Sequence, residues 1–327
     1  MGVSFVSQAE RWCSGQSTRL RGCTSPGCVP SVTTAVDKTW SARGISRDAQ
    51  CTSRAYSTKH DGQTGVNVSK TEPSPGNAIA TMTVSNPAKL NIVNSAILAE
   101  LEAACNSLAS DESLRAVVLT GGRTAPGKAP SFIGGADIRE MHQLSSTDEA
   151  RDFILCIHRT CQALRRLPMP VIARVHGFSL GAGLEIMAAC DLRIATEDSV
   201  FGMPEVKVGI PSVVEAALLP GLIGMGRTRR LLYLAENVDA DTAEKWGLVE
   251  KVVDNEAALD DAVNEWVDKI AEMGPLAIRS QKRLMRRWEN ATVDEGIQAG
   301  VDAFAEAFKD GGSEPKEFLG RFVNRRK

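Results

Sequence analysis

The chain has 327 residues, 43% apolar and 24% charged, with a formal net charge of −2. Those proportions belong to an ordinary folded protein, and the near-zero charge removes any overall attraction to nucleic acid or an anionic membrane. No window approaches the roughly 18 uninterrupted apolar residues that a membrane-spanning helix needs.

Residues 1–74 are rich in Ser, Thr, Arg, Gly and Cys and lack sustained periodicity. Within residues 1–36 the only acid is Glu10, against Arg11, Arg19 and Arg21. An Arg- and Ser-rich, acid-poor start suits an organelle transit peptide. Residues 1–74 are therefore expected to be a disordered extension or a mitochondrial leader, with an untargeted cytoplasmic tail as the alternative. The final Asn-Arg-Arg-Lys is not a peroxisomal SKL-type signal.

The folded part is expected to start near Asn77, with a core over residues 75–254. Residues 77–84 alternate as a strand, Asn86-Pro87 marks a turn, and 92–110 carry helical spacing through Ile97, Leu98, Leu101, Cys105 and Leu108. Residues 114–120 read as a buried strand closed by Gly121-Gly122, followed by a polar Gly/Pro loop over 124–130. A short strand at 131–133 meets Gly134-Gly135 and then a helix from Asp137. A helix over 151–167 leads to a strand at 171–175, a turn at 177–183 and a helix through Cys190. This alternation predicts an α/β layered core. From about Asp254 only helical patterns remain, over 255–272, 275–291 and 293–309. Residues 255–327 are thus expected to form a helical subdomain whose apolar faces need a partner subunit.

Of the eight cysteines, Cys13, Cys23, Cys28 and Cys51 precede the core, while Cys105, Cys156, Cys161 and Cys190 sit on apolar-periodic segments. No CxxC pair occurs, and His60, His142, His158 and His176 are scattered. Reduced thiols are expected, with no metal site and no disulfide framework.

Three stretches carry chemistry. In GFSLGAGLEIMAACD (177–191) a strand ends in a glycine turn and a helix begins at once. The first helical N–H groups have no intrahelical acceptor, so they can polarise a carbonyl oxygen placed before them. Glu185 falls in the first turn of that helix. In FIGGADIREM (132–141) a short strand again meets two glycines and a helix, for which Asp137 is a candidate cap. In FGMPEVKVGI (201–210) Pro204 fixes the backbone before Glu205. Burial among Met203, Val206 and Val208 would raise the Glu205 pKa toward that of a useful proton donor. Singly, each stretch could be an ordinary tight turn.

Together, in this order and with twenty residues between the glutamates, they resemble the enoyl-CoA hydratase/isomerase (crotonase) superfamily. The similarity runs over residues 78–287 and includes SNPAKLN at 85–91 and DADTAEKWGLVEKVV at 239–253. The resemblance implies a crotonase-like α/β spiral core of repeated strand-strand-helix turns with a helical C-terminal oligomerisation subdomain. It implies an acyl-CoA thioester as substrate, with coenzyme A part of the substrate rather than a cofactor. The oxyanion hole maps to the backbone N–H groups of Gly134 and Ala182, and the acid/base pair to Glu185 and Glu205. In a hydratase Glu185 would be the base for water and Glu205 would protonate the α-carbon. Coenzyme A would lie along Ala88, Lys89 and Leu90 and along Ala136, Asp137, Ile138 and Arg139, with Lys282 or Arg286 as further phosphate partners. Met141, Pro204, Pro211, Ser212 and Glu215 would line the acyl end. Trimers or hexamers are expected.

Two carboxylates favour hydratase or dehydratase chemistry. A Δ3,Δ2-enoyl-CoA isomerase or a decarboxylase is the alternative, because a single shuttled proton needs only one of them. An RNA-binding relative is a third reading, resting on the basic helix of Lys282, Arg283, Arg286 and Arg287; the slight negative charge of the chain argues against it. The chain departs from the hydratase pattern after Glu205, where a glycine-rich segment is replaced by IPSVVEAALL at 210–219. That change is expected to alter acyl preference.

Overall fold

The computed structural model describes residues 63–324. Six strands form the larger sheet, in the order β1 (Gly65–Thr71), β2 (Ala78–Ser85), β3 (Leu114–Gly121), β5 (Val171–Val175), β7 (Leu192–Thr196) and β10 (Lys251–Val253). All neighbours are parallel except β1 and β2. β2, β3 and β5 are buried at every residue, as expected of parallel strands covered on both faces. A smaller sheet runs β4 (Ser131–Ile133), β6 (Phe178–Leu180), β8 (Val200–Gly202) and β9 (Val238–Asp239).

The chain alternates between the two sheets. β3 leads to β4, β5 to β6 and β7 to β8, giving the repeated strand-strand-helix turns. Helix α1 (Ser95–Leu108) is capped by Asn94, whose side chain accepts from Ile97 N, and buries Ile97, Leu98, Leu101, Cys105 and Leu108. Helix α2 is the short Ile138–His142, and α3 (Thr147–Arg166) is capped by Ser146. Phe153, Ile157, Cys161 and Leu164 form the buried face of α3. Phe132 and Phe201 are fully buried in the core, each contributing about 2–3 kcal/mol by removal from water.

Helices α4 (Ala182–Ala188), α5 (Leu219–Ile223), α6 (Met225–Leu234) and α7 (Ala240–Trp246) complete the core. The C-terminal region holds α8 (Glu256–Glu272), α9 (Pro275–Trp288) and α10 (Val293–Ala307), as the periodicity indicated. Buried ion pairs lock two of these helices onto the sheet. Arg174 of β5 bonds Asp260 of α8 at 2.7 Å, and Lys282 of α9 reaches Asp191 at 2.6 Å and the Met169 carbonyl at 2.9 Å. Among the described residues no helix is long and apolar enough to cross a membrane.

Two expectations are corrected here. The fold begins by Gly65 rather than near Asn77, because β1 pairs along β2 from Gly65↔Ser85 to Thr71↔Ile79. β1 is an edge strand buried only in part, so its sequence lacks a strong apolar period. The expected leader otherwise falls on residues 1–62, outside the described residues. A further helix, α11 (Ser313–Val323), lies within the region 255–327 expected to be helical. Lys282 does not face solvent: it is buried and spent on Asp191, so it is a structural lysine rather than a phosphate ligand.

Candidate active site

Strands β4 and β6 lie side by side in parallel, with Ser131 opposite Phe178 and Ile133 opposite Ser179. Each ends in glycine and then enters a helix, so the two turns are brought together at one edge of the smaller sheet. The packing there leaves no room for side chains. A Cβ on Gly183 would stand 2.0 Å from the Ile133 carbonyl oxygen, and one on Gly181 would stand 2.5 Å from Oε1 of Glu205. Gly181 also adopts φ 52°, ψ −122°, which a side chain disfavours.

The amides at these turns divide into spent and open groups. Leu184 N and Glu185 N both donate to the Gly181 carbonyl. Ala182 N, first in α4, has no intrahelical acceptor. Gly134 N donates to the Leu90 carbonyl at 2.9 Å. The expected role of Gly134 as an oxyanion donor is therefore corrected: its hydrogen is consumed inside the protein. Two residues on, Val93 and Ala136 form an isolated parallel bridge. Val93 N donates to Gly135 O at 2.9 Å and Asp137 N to Val93 O at 2.8 Å. The Ala136 N–H is turned the other way and has no acceptor among the described residues. Ala136 and Ala182 are thus the open pair. A pattern of N–H groups alternating along extended backbone held the signal, but the Val93 bridge that fixes its phase is a long-range contact.

Glu185 is 4% exposed, and its Oε1 accepts from Ala216 N at 3.1 Å. Burial pushes its carboxyl up to about 8, with the charge of Glu205 adding to the shift, the Ala216 bond opposing it and Glu215 reinforcing it. Glu205 opens a 3-10 turn, Glu205–Val208. Its Oε2 accepts from Ser212 Oγ at 2.7 Å while Oε1 lies against Gly181. Burial raises its pKa too, and the Ser212 hydroxyl works against that rise. Val206 and Val208, expected to wall this carboxylate, are 42% and 49% exposed, so only Met203 of the three is buried. The enclosure comes instead from the Gly181 turn and the segment 211–216.

Segment 211–216 touches both glutamates: Ser212 bonds Glu205, and Ala216 N bonds Glu185. Between them Glu215 is buried. Its Oε1 lies 3.0 Å from His158 Nδ1 and accepts from Gln162 Nε2 at 3.2 Å, both on α3, while its Oε2 has no partner among the described residues. Of the other expected acyl-end residues, Met141 packs half-buried against the core, Pro204 is half-buried and Pro211 is exposed.

The expected coenzyme A residues also converge. Ala88 and Lys89 lie on the 3-10 turn Pro87–Lys89, and the Lys89 ammonium pairs with Asp137 at 2.9 Å. Asp137 caps α2 by accepting from Arg139 N at 3.0 Å. Ile138 and Arg139 are exposed at the rim. The Leu90 carbonyl is occupied by Gly134 N and by Ser131 Oγ at 2.8 Å. Leu90 and Asn91 both have positive φ, 55° and 54°. The fully buried Asn91 side chain offsets that strain by donating to the Gly122 and Ser131 carbonyls, each at 2.7 Å.

A profile of the enoyl-CoA hydratase/isomerase family matches residues 74–327. The short-chain-enoyl-CoA hydratase of Clostridium acetobutylicum is 35% identical over 250 residues, which span 76% of this chain and 92% of that one. A Dictyostelium discoideum protein named as a mitochondrial enoyl-CoA hydratase is 31% identical over 249 residues, spanning 76% and 86%. The crystal structure of an enoyl-CoA hydratase from Mycobacterium smegmatis superposes with a TM-score of 0.69 at 31% identity, covering 78% of this chain and 96% of that one.

Proposed function

The chain belongs to the enoyl-CoA hydratase/isomerase family, and from that premise we propose that its site adds water across the 2,3 double bond of an enoyl-CoA thioester, or removes it in reverse. The thioester oxygen would sit before the open N–H groups of Ala136 and Ala182. In hydration Glu185 takes a proton from water, whose oxygen bonds to C3. The C2=C3 electrons move toward the thioester, and the enolate oxygen is held by the two amides. Glu205 then gives its proton to C2. A preorganised donor of this kind is commonly worth about 3 kcal/mol in the transition state, and each acid/base group about 10²–10⁴-fold in rate.

The observation that carries this reading is the pair of enclosed, mutually interacting carboxylates beside two unpartnered turn amides. The proposed reaction needs no resident cofactor; coenzyme A arrives as part of the substrate, along Ala88–Leu90 and Ala136–Arg139. Following the loss of conjugated-thioester absorbance of crotonyl-CoA tests it directly. Glu185→Gln and Glu205→Gln should each lower turnover by about 10²-fold or more, while calorimetric binding of the acyl-CoA survives. Undiminished turnover in either variant refutes the roles. Loss in Glu205→Gln alone would instead favour the isomerase or decarboxylase reading.

Assembly into trimers or hexamers is part of this proposal. Val293, Ile297, Val301 and Phe304 of α10 are exposed together at four- and three-residue spacing, as are Leu319, Phe322 and Val323 of α11. A mitochondrial location is supported by the Arg- and Ser-rich first residues and by the named Dictyostelium relative; the cytoplasm is the alternative.

A further inference from the structure

Glu215 is buried, 4% exposed, with one carboxylate oxygen tied to His158 and Gln162 and the other without a partner among the described residues. Leaving a carboxylate oxygen buried and unpaired costs free energy that an apolar side chain would avoid. The position of this carboxylate gives it a use. The peptide N–H joining Glu215 to Ala216 donates to Glu185 Oε1, so the two side chains flank a single peptide unit.

We propose that Glu215 is a third carboxylate of the site, a positioning residue fixed from α3 by His158 and Gln162, which adds to burial and Glu205 in keeping a proton on Glu185 in the free enzyme. The inference rests on the hydratase reading and deepens it. With Glu185 protonated and Glu205 ionised, the empty site is ready for a 3-hydroxyacyl-CoA: Glu205 takes the C2 proton, and Glu185 protonates the hydroxyl that leaves C3 as water. Hydration needs the opposite arrangement, with the proton on Glu205.

The surroundings favour this distribution. The titratable groups facing Glu185 are Glu205, Glu215 and Cys161 of α3, and among the described residues no cation pairs with it. Glu215 faces His158, Cys161 and Glu185, while Arg165, the other basic residue near Cys161, is paired with Glu289. Glu205 has a hydroxyl donor in Ser212, which stabilises its charged form. Glu185 therefore faces two other carboxylates, and Glu205 has the hydroxyl donor that favours loss of its proton. Because the half-exposed His158 is the link from Glu215 to solvent, the arrangement responds to changes on the outer face of α3.

The test follows the Glu185 carboxyl itself by infrared difference titration of the free, full-length enzyme, with its band assigned by loss in Glu185→Gln. Alongside it, kcat/KM for dehydration of 3-hydroxybutyryl-CoA is measured against pH. In Glu215→Gln both the infrared midpoint and the alkaline fall of kcat/KM should move to lower pH by roughly half a unit or more, the size expected of one nearby like charge at intermediate dielectric. Glu215→Asp, which keeps the charge, should restore most of the shift. His158→Ala unties Glu215 from α3, so that its carboxylate can swing away from Glu185, and should move both readouts the same way by less; at this half-exposed position it also covers a failure of Glu215→Gln to fold. An unmoved infrared midpoint in the folded variants overturns the proposal, even if KM or stability changes. If the enzyme lacks dehydration activity altogether, the hydratase reading fails while the infrared midpoint still decides the role of Glu215.

Discussion

Ser212 donates to Oε2 of Glu205 at 2.7 Å, at the point where the chain departs from the glycine-rich hydratase segment. A side chain that read as a change of acyl preference is in fact bonded to Glu205, the proposed proton donor. The hydroxyl favours the ionised form of Glu205. Ser212→Ala should therefore move Glu205 ionisation to higher pH. In the dehydration direction, where Glu205 must be ionised, the acid limb of the kcat/KM profile should shift upward, with about tenfold lower kcat/KM on that limb, the order of one hydrogen bond to a charged group.

Gly183→Ala probes the contact between the two turns. The added Cβ would meet the Ile133 carbonyl at 2.0 Å, and neither group is the end of a flexible side chain. The start of α4 must move, displacing the Ala182 amide. A loss of about 3 kcal/mol in denaturant unfolding is expected, together with a fall in kcat larger than the rise in KM.

Glu185 links stability to pH. Its folded-state pKa of about 8 lies above the ordinary value of 4.5. The unfolded chain ionises first, so the stabilisation is complete below about 4.5 and is lost as pH rises through about 8. The melting temperature of the wild type should fall between these limits more steeply than that of Glu185→Gln. Parallel slopes in the two proteins would contradict the assignment.

Lys282→Ala removes the buried partner of Asp191. Breaking a buried pair from one side typically costs about 3–5 kcal/mol. Thermal and denaturant unfolding should show that loss, while KM for an acyl-CoA stays close to that of the wild type. A large rise in KM with stability intact would return Lys282 to the phosphate-binding residues.

The most legible parts of the sequence were those in which local chemistry and local structure coincide. Gly134-Gly135 and Gly181-Ala182-Gly183 announced turns before helices, Asp137 announced a cap, and short runs rich in Val, Ile and Leu announced β3 and β5. What escaped depended on distant partners. β1 exists because β2 offers it an edge. Gly134 and Ala136 exchange roles because Leu90 and Val93, more than forty residues upstream, accept or bridge from one side. Lys282 lies on a helix with Arg283, Arg286 and Arg287, and the approach of Asp191 and the Met169 carbonyl turns it inward. The third carboxylate was visible as an added acid in segment 210–219, but its tether through His158 spans 57 positions of chain.

The buried Asn91 amide grips the carbonyls on both sides of the loop that separates β3 from β4. The loop's anchors are thus clamped from outside it, and its tip around Gly127 is exposed. Extra residues spliced in at that tip would be carried outward, leaving Ser131 and the turn beyond it where Asn91 holds them. This makes the tip a natural attachment point for a fluorophore or a recruited domain on a working catalyst.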